Sequence, residues 1–140
     1  NYANGVHEVI ADLEAAISGI GTEQTQLEFN ELLLDLRSMA ELGSYYADKG
    51  RAAANYYLGR EYGWSNYSSE YLQSVKDIEN AEAHWKKYAA ILSLHYTPQV
   101  LARTHDLDWY KTLDGNGQKA IGKSIQFIED ETKAIKNKEY

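Results

Sequence analysis

The chain has 140 residues, a formal net charge of −7 from 14 basic and 21 acidic residues, and no cysteine. This length is typical of one domain, so we expect residues 1–140 to form a single unit. The acidic balance disfavours nucleic acid as a partner. The lack of cysteine excludes disulfides, thiolate zinc sites and a cysteine nucleophile. No apolar run reaches the ~20 residues that a membrane-spanning helix needs.

The first two predicted elements are helices with clear ends. Residues 3–18 predict an amphipathic helix, and glycines follow directly. Its apolar positions are Val6, Val9, Ile10, Leu13 and Ile17. Thr22 is a suitable N-cap for a second helix, which contains no proline and extends to about Tyr62. At 1.5 Å per residue, a helix of ~40 residues is about 60 Å long.

The second helix carries an unbroken alternation of three- and four-residue steps. Its members are Phe29, Leu32, Leu36, Met39, Gly43, Tyr46, Gly50, Ala53 and Tyr57. Leucine and methionine need only a core, whereas small residues beside tyrosines permit close helix contact and offer aromatic surface. We therefore predict an interaction face in the second half of the helix, made of Gly43, Tyr46, Gly50, Ala53 and Tyr57.

Two further helices follow. Ser68 or Ser69 can cap a third helix running to about Tyr96, before Pro98. Its predicted buried seam contains Tyr71, Val75, Ile78, Glu82, Trp85, Ala89, Leu92 and Tyr96. Residues 97–117 are irregular by pattern, with one helical turn expected at residues 109–113. A last helix then carries Ile121, Ile125, Ile128 and Ile135.

These elements predict an all-α fold, an antiparallel four-helix bundle with two long central helices and two shorter flanking helices. We expect its core around Leu32, Leu36, Met39, Trp85, Leu92 and Ile125. The other end is then a two-helix hairpin with more aromatic surface than it can bury alone, so we expect either residues 97–117 or a partner to cover it. That surface comprises Tyr45, Tyr46, Tyr56, Tyr57, Tyr62, Trp64, Tyr67 and Tyr71.

No residue pattern indicates catalysis, a metal or a cofactor. The four histidines lack the Glu-x-x-His spacing of carboxylate-bridged metal bundles. The sequence DGNG at residues 114–117 has Lys123 where a calcium loop needs a bidentate glutamate, so it is an ordinary turn. The acids lie mainly on solvent faces. Glu82 is the exception, and we expect it to pair with Lys49 or Arg51 on the facing helix.

Aromatic residues are the remaining candidates for a binding surface, because sugars stack on aromatic rings while polar side chains bind hydroxyls. One cluster is Tyr62, Trp64 and Tyr67 at the turn between the long helices. The other, in the irregular connection, consists of Arg103, His105, Asp106, Asp108, Trp109 and Tyr110. Core packing or anchoring of a loop is the alternative role for both clusters.

Three segments together resemble a known type of module. They are residues 36–53 (LRSMAELGSYYADKGRAA), 83–90 (AHWKKYAA) and 96–113 (YTPQVLARTHDLDWYKTL). They are similar to an all-helical accessory region near the C-terminus of large secreted glycoside hydrolases and related polysaccharide-utilisation proteins. The chain departs from that pattern at Gly50, where an aliphatic residue is expected, and near His105, where a glycine is expected.

The resemblance implies a bacterial, exported protein that acts on carbohydrate, with catalysis in another domain. We therefore expect a noncatalytic accessory module that contacts glycan or positions domains, outside the cell or at its surface, including the periplasm. Asn1 opens the chain without an initiator methionine or a signal segment, so we expect a piece of a longer protein. The alternative is a protein-interaction or oligomerisation module, with another helix or a second copy as its partner.

Overall fold

The computed structural model describes residues 2–17, 21–95 and 117–139. These residues form four α-helices: α1 (Tyr2–Ile17), α2 (Glu23–Tyr62), α3 (Ser68–His95) and α4 (Gly117–Asn137). The described part of the chain contains no strand, which confirms the all-α fold class with two long and two shorter helices.

The ends of α2 are set by the residues that the sequence indicates. The Thr22 side chain accepts a hydrogen bond from the backbone N–H of Thr25, and the helix begins at Glu23. The helix ends at Tyr62 because Gly63 adopts a φ of 97°, a left-handed conformation that glycine reaches without strain. The chain then turns directly into α3, so α2 and α3 form an antiparallel hairpin.

The helix α1 packs against the first half of α2. Ile10 on α1 is buried with Leu33 and Ala40 on α2. Partly buried side chains extend this small cluster on both helices; they are Val6, Leu13, Ile17 and Leu36. Outside it, Arg37 of α2 forms an ion pair with Glu14 of α1.

The main core lies between the second half of α2, α3 and α4. Its buried members are Tyr45, Ala52, Tyr56, Ile78, Ala81, Ile128 and Ile135. The helix α4 runs antiparallel to α3, since the Trp85 indole N–H donates to the Ser124 hydroxyl (3.0 Å) while the Tyr71 hydroxyl donates to the Lys136 carbonyl (2.6 Å). The C-terminal end of α4 therefore lies at the hairpin tip.

This arrangement corrects the predicted core. Leu32 and Met39 are not core residues, because they are 47% and 67% exposed. The expected two-helix end is also wrong, since α4 packs Ile128 and Ile135 against the tyrosines of that end. The two short helices cover different halves of α2. The helix α1 packs on the first half, and α4 contributes to the core at the second half. Trp85 does pack against the core, as predicted, although it is only partly buried.

The buried face of α2 is offset from the predicted one. Its buried members are Leu33, Ala40, Glu41, Ser44, Tyr45, Asp48, Ala52, Tyr56 and Gly59. The apolar alternation that begins at Phe29 points mostly to solvent instead. The offset is possible because α3 and neighbouring α2 positions supply polar partners for the buried acids, as described below.

Candidate functional site

The predicted interaction face of α2 is exposed over its whole length. All five of its members are exposed: Gly43, Tyr46, Gly50, Ala53 and Tyr57. Tyr46 and Tyr57 are 63% and 50% exposed, which is a large fraction for tyrosines on a helix. Leu32 and Met39 continue this exposed face toward the N-terminus. Leu36 lies between them and is partly buried against α1, and we call all eight residues the α2 stripe.

The two glycines of the α2 stripe have no steric role among the described residues. There, a Cβ atom built on Gly43 or Gly50 meets no neighbouring heavy atom within 4 Å. A glycine in a helix interior costs roughly 0.5–1 kcal/mol relative to alanine. No internal contact among the described residues requires glycine at these two positions. The space beside the glycines therefore allows another molecule to approach the helix closely.

The tyrosines of the α2 stripe are held in place from the side. The Tyr46 ring meets the edge of the buried Tyr45 ring at a centroid distance of 4.9 Å. The Arg60 guanidinium lies 5.6 Å from the centroid of the Tyr57 ring. Both rings thus lie against other side chains while exposing about half of their surface or more.

One edge of the α2 stripe borders α4. A groove of about 210 Å³ lies there, with Lys49, Ala53, Tyr57 and Glu131 among its lining residues. The Lys49 ammonium forms a 2.5 Å ion pair with the Glu131 carboxylate and lies 5.3 Å from the centroid of the Phe127 ring. Partial burial lowers the pKa of Lys49 most strongly, but hydrogen bonds to Glu131 and Tyr45 outweigh it and raise this pKa above its ordinary value. Lys49 therefore stays charged at neutral pH.

The aromatic cluster at the hairpin tip has two parts with different exposure. Trp64 is partly buried against the core, between the rings of Tyr56 (5.0 Å) and Tyr71 (5.2 Å). A Cβ atom on Gly59 would overlap the Trp64 indole. Trp64 therefore anchors the turn on α2, which is the alternative role considered for it. Tyr62, by contrast, is 59% exposed.

Lys138, just beyond the end of α4, completes this tip. Its ammonium lies 5.1 Å from the Trp64 ring centroid and 4.5 Å from the Tyr71 ring centroid. A cation over an aromatic ring at such distances is attracted by the ring electrons. The neighbouring Tyr62 and Tyr67 rings are 5.9 Å apart and tilted by 45°. The tip thus offers Tyr62 and Tyr67 as its outer aromatic surface.

The second predicted aromatic cluster lies outside the described residues. It comprises Arg103, His105, Asp106, Asp108, Trp109 and Tyr110. The DGNG turn at residues 114–117 likewise falls there, except for Gly117, the first residue of α4.

A buried polar layer between α2 and α3 was missed by the sequence analysis. Glu41 and Asp48 of α2 and Asp77 of α3 are each at most 9% exposed. The His84 ring Nδ1 lies 2.6 Å from the Glu41 carboxylate, and its Nε2 lies 3.6 Å from the Asp48 carboxylate. The acids are therefore not confined to solvent faces.

The rest of this layer surrounds the other two carboxylates. Arg51 forms ion pairs with Asp48 and, at 3.7 Å, with Asp77. Asp77 also accepts hydrogen bonds from the amides of Asn55 (3.4 Å) and Gln73 (3.0 Å). Each buried acid thus has partners, as buried charge requires. The helical spacing of Glu41, Ser44, Asp48 and Arg51 was the available signal, but their partners on α3 are not local in sequence.

The prediction that Glu82 pairs with Lys49 or Arg51 is wrong. Glu82 pairs with Lys86 on its own helix (2.8 Å), and Lys86 also pairs with Glu129 of α4 (2.6 Å). Lys49 and Arg51 are instead committed to Glu131 and to the polar layer. Burial raises the pKa of Glu82 most strongly, yet hydrogen bonds from Lys86 and Thr132 outweigh it and lower this pKa below its ordinary value.

No group of three or more histidine and acidic side chains in the described residues is arranged to hold a metal ion. The ion pairs and hydrogen bonds of the polar layer join α2 to α3. None of the described helices has the length and hydropathy of a membrane span.

Comparison with known proteins gives no relatives: no protein family, no curated protein and no solved structure matches the chain.

Proposed function

We propose that this domain is a noncatalytic accessory module that binds another helix through the α2 stripe. The observation that carries the proposal is the exposure of a continuous helix face with large apolar side chains, among them Met39 and Tyr46. Soluble proteins rarely expose such contiguous apolar surface without a use for it. The empty space above Gly43 and Gly50 supports a helix as the partner, because small residues let two helix backbones approach closely.

The setting we propose is an extracellular or cell-surface, including periplasmic, polysaccharide-degrading protein of a bacterium, in which this module positions neighbouring domains. The resemblance of residues 36–53, 83–90 and 96–113 to helical accessory regions of secreted glycoside hydrolases supports this setting. Residues 36–53 carry most of the α2 stripe, so the segment with the resemblance is also the segment with the exposed face.

A photoreactive residue at Tyr46 tests the proposed binding surface. Benzoylphenylalanine replaces the exposed tyrosine with another aromatic side chain, and irradiation in cells that make the protein joins it to whatever covers the stripe. Leu72 on α3 is 60% exposed and serves as a matched control position. We expect discrete cross-links from position 46 that are absent from position 72. Equal or absent cross-linking at both positions would contradict the proposal.

A second candidate function is glycan binding at the hairpin tip. The exposed Tyr62 and its neighbour Tyr67 favour it, because tyrosine rings can stack on sugar faces. Titration of soluble plant, algal and host glycans against the domain tests it, with Tyr62→Ala as the variant of the tip and Trp109→Ala as the variant of the other predicted cluster. Trp64→Ala suits this test poorly because Trp64 anchors the turn. Absence of binding to every glycan would leave the helix-binding role alone.

A further inference from the structure

The α2 stripe has the spacing of a coiled-coil seam. Its members follow one another by four and three residues in strict alternation from Leu32 to Tyr57. A helix surface with this period faces a partner helix continuously when the two supercoil. Among the described helices, α1 packs against Leu33, Ala40 and one stripe residue, Leu36, whereas α3 and α4 pack against Tyr45, Ala52 and Tyr56. A partner helix can therefore lie along the stripe beside them.

The order of side-chain sizes along the α2 stripe is self-complementary. Large residues stand at Leu32, Leu36 and Met39, and small residues stand at Gly43, Gly50 and Ala53. Two copies of the stripe can lie antiparallel with the twofold axis between residues 44 and 45. In the inner layers of this pair, each large residue faces a small residue of the other copy. The facing pairs are Tyr46 with Gly43, Met39 with Gly50, Leu36 with Ala53 and, outermost, Leu32 with Tyr57.

We infer that the α2 stripe binds a second copy of this chain in this antiparallel register. The inference rests on the proposed function, since it names the partner of the same surface. A parallel pair is disfavoured because it places glycine against glycine and tyrosine against tyrosine, which alternates gaps with crowding. Large-to-small layers fill space evenly, which is how helix cores reach native packing density.

The size of the contact indicates a weak dimer. From Leu32 to Tyr57 the stripe is about 38 Å long, and a helix is about 10 Å wide, so each copy buries on the order of 400 Å². A total of roughly 800 Å² lies below that of stable permanent complexes. The charge of −7 on each copy adds repulsion at low salt. We therefore expect a dimer that forms at micromolar or higher concentration and strengthens as salt screens this repulsion.

Sedimentation equilibrium from about 10 µM to about 1 mM is the first test, with Gly50→Leu as the diagnostic variant. A Cβ atom at position 50 meets no neighbouring atom of the described residues within 4 Å, whereas a leucine there faces Met39 of the other copy. We expect dimer affinity to fall about 10-fold or more from overpacking. The double variant Gly50→Leu with Met39→Ala should recover most of that loss. Gly5→Leu, at an exposed site of α1 with equal free space, is the matched control.

The two orientations give opposite results for the same variant. In a parallel pair, leucine at position 50 faces leucine and fills the gap, so affinity rises. Spin labels provide an independent measurement, because the chain has no cysteine of its own. Antiparallel geometry places labels on Ala47→Cys about 8 Å apart along the axis and labels on Glu61→Cys about 50 Å apart. Similar short distances at both sites would contradict the inference.

The failure of this inference differs from the failure of the proposed function. A strictly monomeric protein at 1 mM in high salt, or cross-links from position 46 to another protein or domain, would overturn the pairing of two copies while leaving helix binding intact. Absence of any cross-link specific to position 46 would overturn both. If two copies pair as inferred, we expect the cross-links from position 46 to map within one helical turn of Gly43 on the second copy.

Discussion

The contact between Gly59 and Trp64 allows a sharp test of the structure at the hairpin tip. Replacing a helical glycine with alanine normally stabilises a protein by about 0.5–1 kcal/mol. At Gly59 the added Cβ would lie well under 3.0 Å from ring carbons of Trp64, a separation that real Cβ atoms do not show. We therefore expect Gly59→Ala to be destabilising instead.

The magnitude follows from what the indole holds in place. Overpacking typically costs 1–3 kcal/mol, and here the displaced ring also loses its contacts with Tyr56, Tyr71 and the Lys138 ammonium. A Cβ atom at Gly50 meets no neighbouring atom of the described residues within 4 Å, so Gly50→Ala should increase stability by the usual amount. The same substitution in the same helix should thus differ by about 3 kcal/mol, or about 10 °C in Tm.

Circular dichroism during thermal and urea unfolding measures both variants, at low micromolar protein to limit association. A double-mutant cycle with Trp64→Ala isolates the contact. In the Trp64→Ala background, Gly59→Ala should become stabilising because the obstructing ring is gone. The reasoning is refuted if Gly59→Ala is as stable as Gly50→Ala, or if its cost persists without the indole.

Three further predictions concern polar contacts. His84→Ala should destabilise the fold by about 1–3 kcal/mol, measured by urea unfolding, because two buried carboxylates lose a partner; an unchanged midpoint would show that water replaces the ring. Tyr71→Phe removes the hydrogen bond to the Lys136 carbonyl and should cost about 0.5–1.5 kcal/mol, with Tyr62→Phe as the neutral control. Because its folded pKa is lowered, Glu82 contributes stability that is present above its ordinary pKa of 4.5 and lost as pH falls through the folded value. Glu82→Gln should therefore destabilise the protein at pH 7 and flatten its loss of stability in acid, and an unchanged acid limb in pH-dependent unfolding would contradict this.

Local signals in the sequence were sufficient to predict the helices. Thr22 and Gly63 act through hydrogen bonds and backbone conformation within four residues of their own positions, so their effect can be inferred without knowing the fold. The helix α3 also begins close to the predicted position, at Ser68. Helix number, approximate length and the all-α class follow from such residues.

The buried side of α2 could not be predicted in the same way. Leu32 and Met39 look like core residues, and Asp48 looks like a surface residue, when only hydrophobicity is considered. Asp48 is buried because His84, 36 residues away in sequence, and Arg51 surround its carboxylate. The structure leaves the five residues of the predicted interaction face exposed, and their use as a binding surface stays a prediction.

The buried polar layer has a consequence for how the long hairpin finds its alignment. If α2 and α3 slipped by one helical turn, their apolar side chains could still interdigitate with little loss of packing energy. The reason is that similar residues, such as alanines and tyrosines, recur along both helices. A slip of one turn, about 5.4 Å, would separate Glu41 and Asp48 from the single imidazole that lies between them, and leave Asp77 without Arg51. The buried acids thus favour a single register of α2 against α3. That register determines which side of α2 is exposed to other molecules.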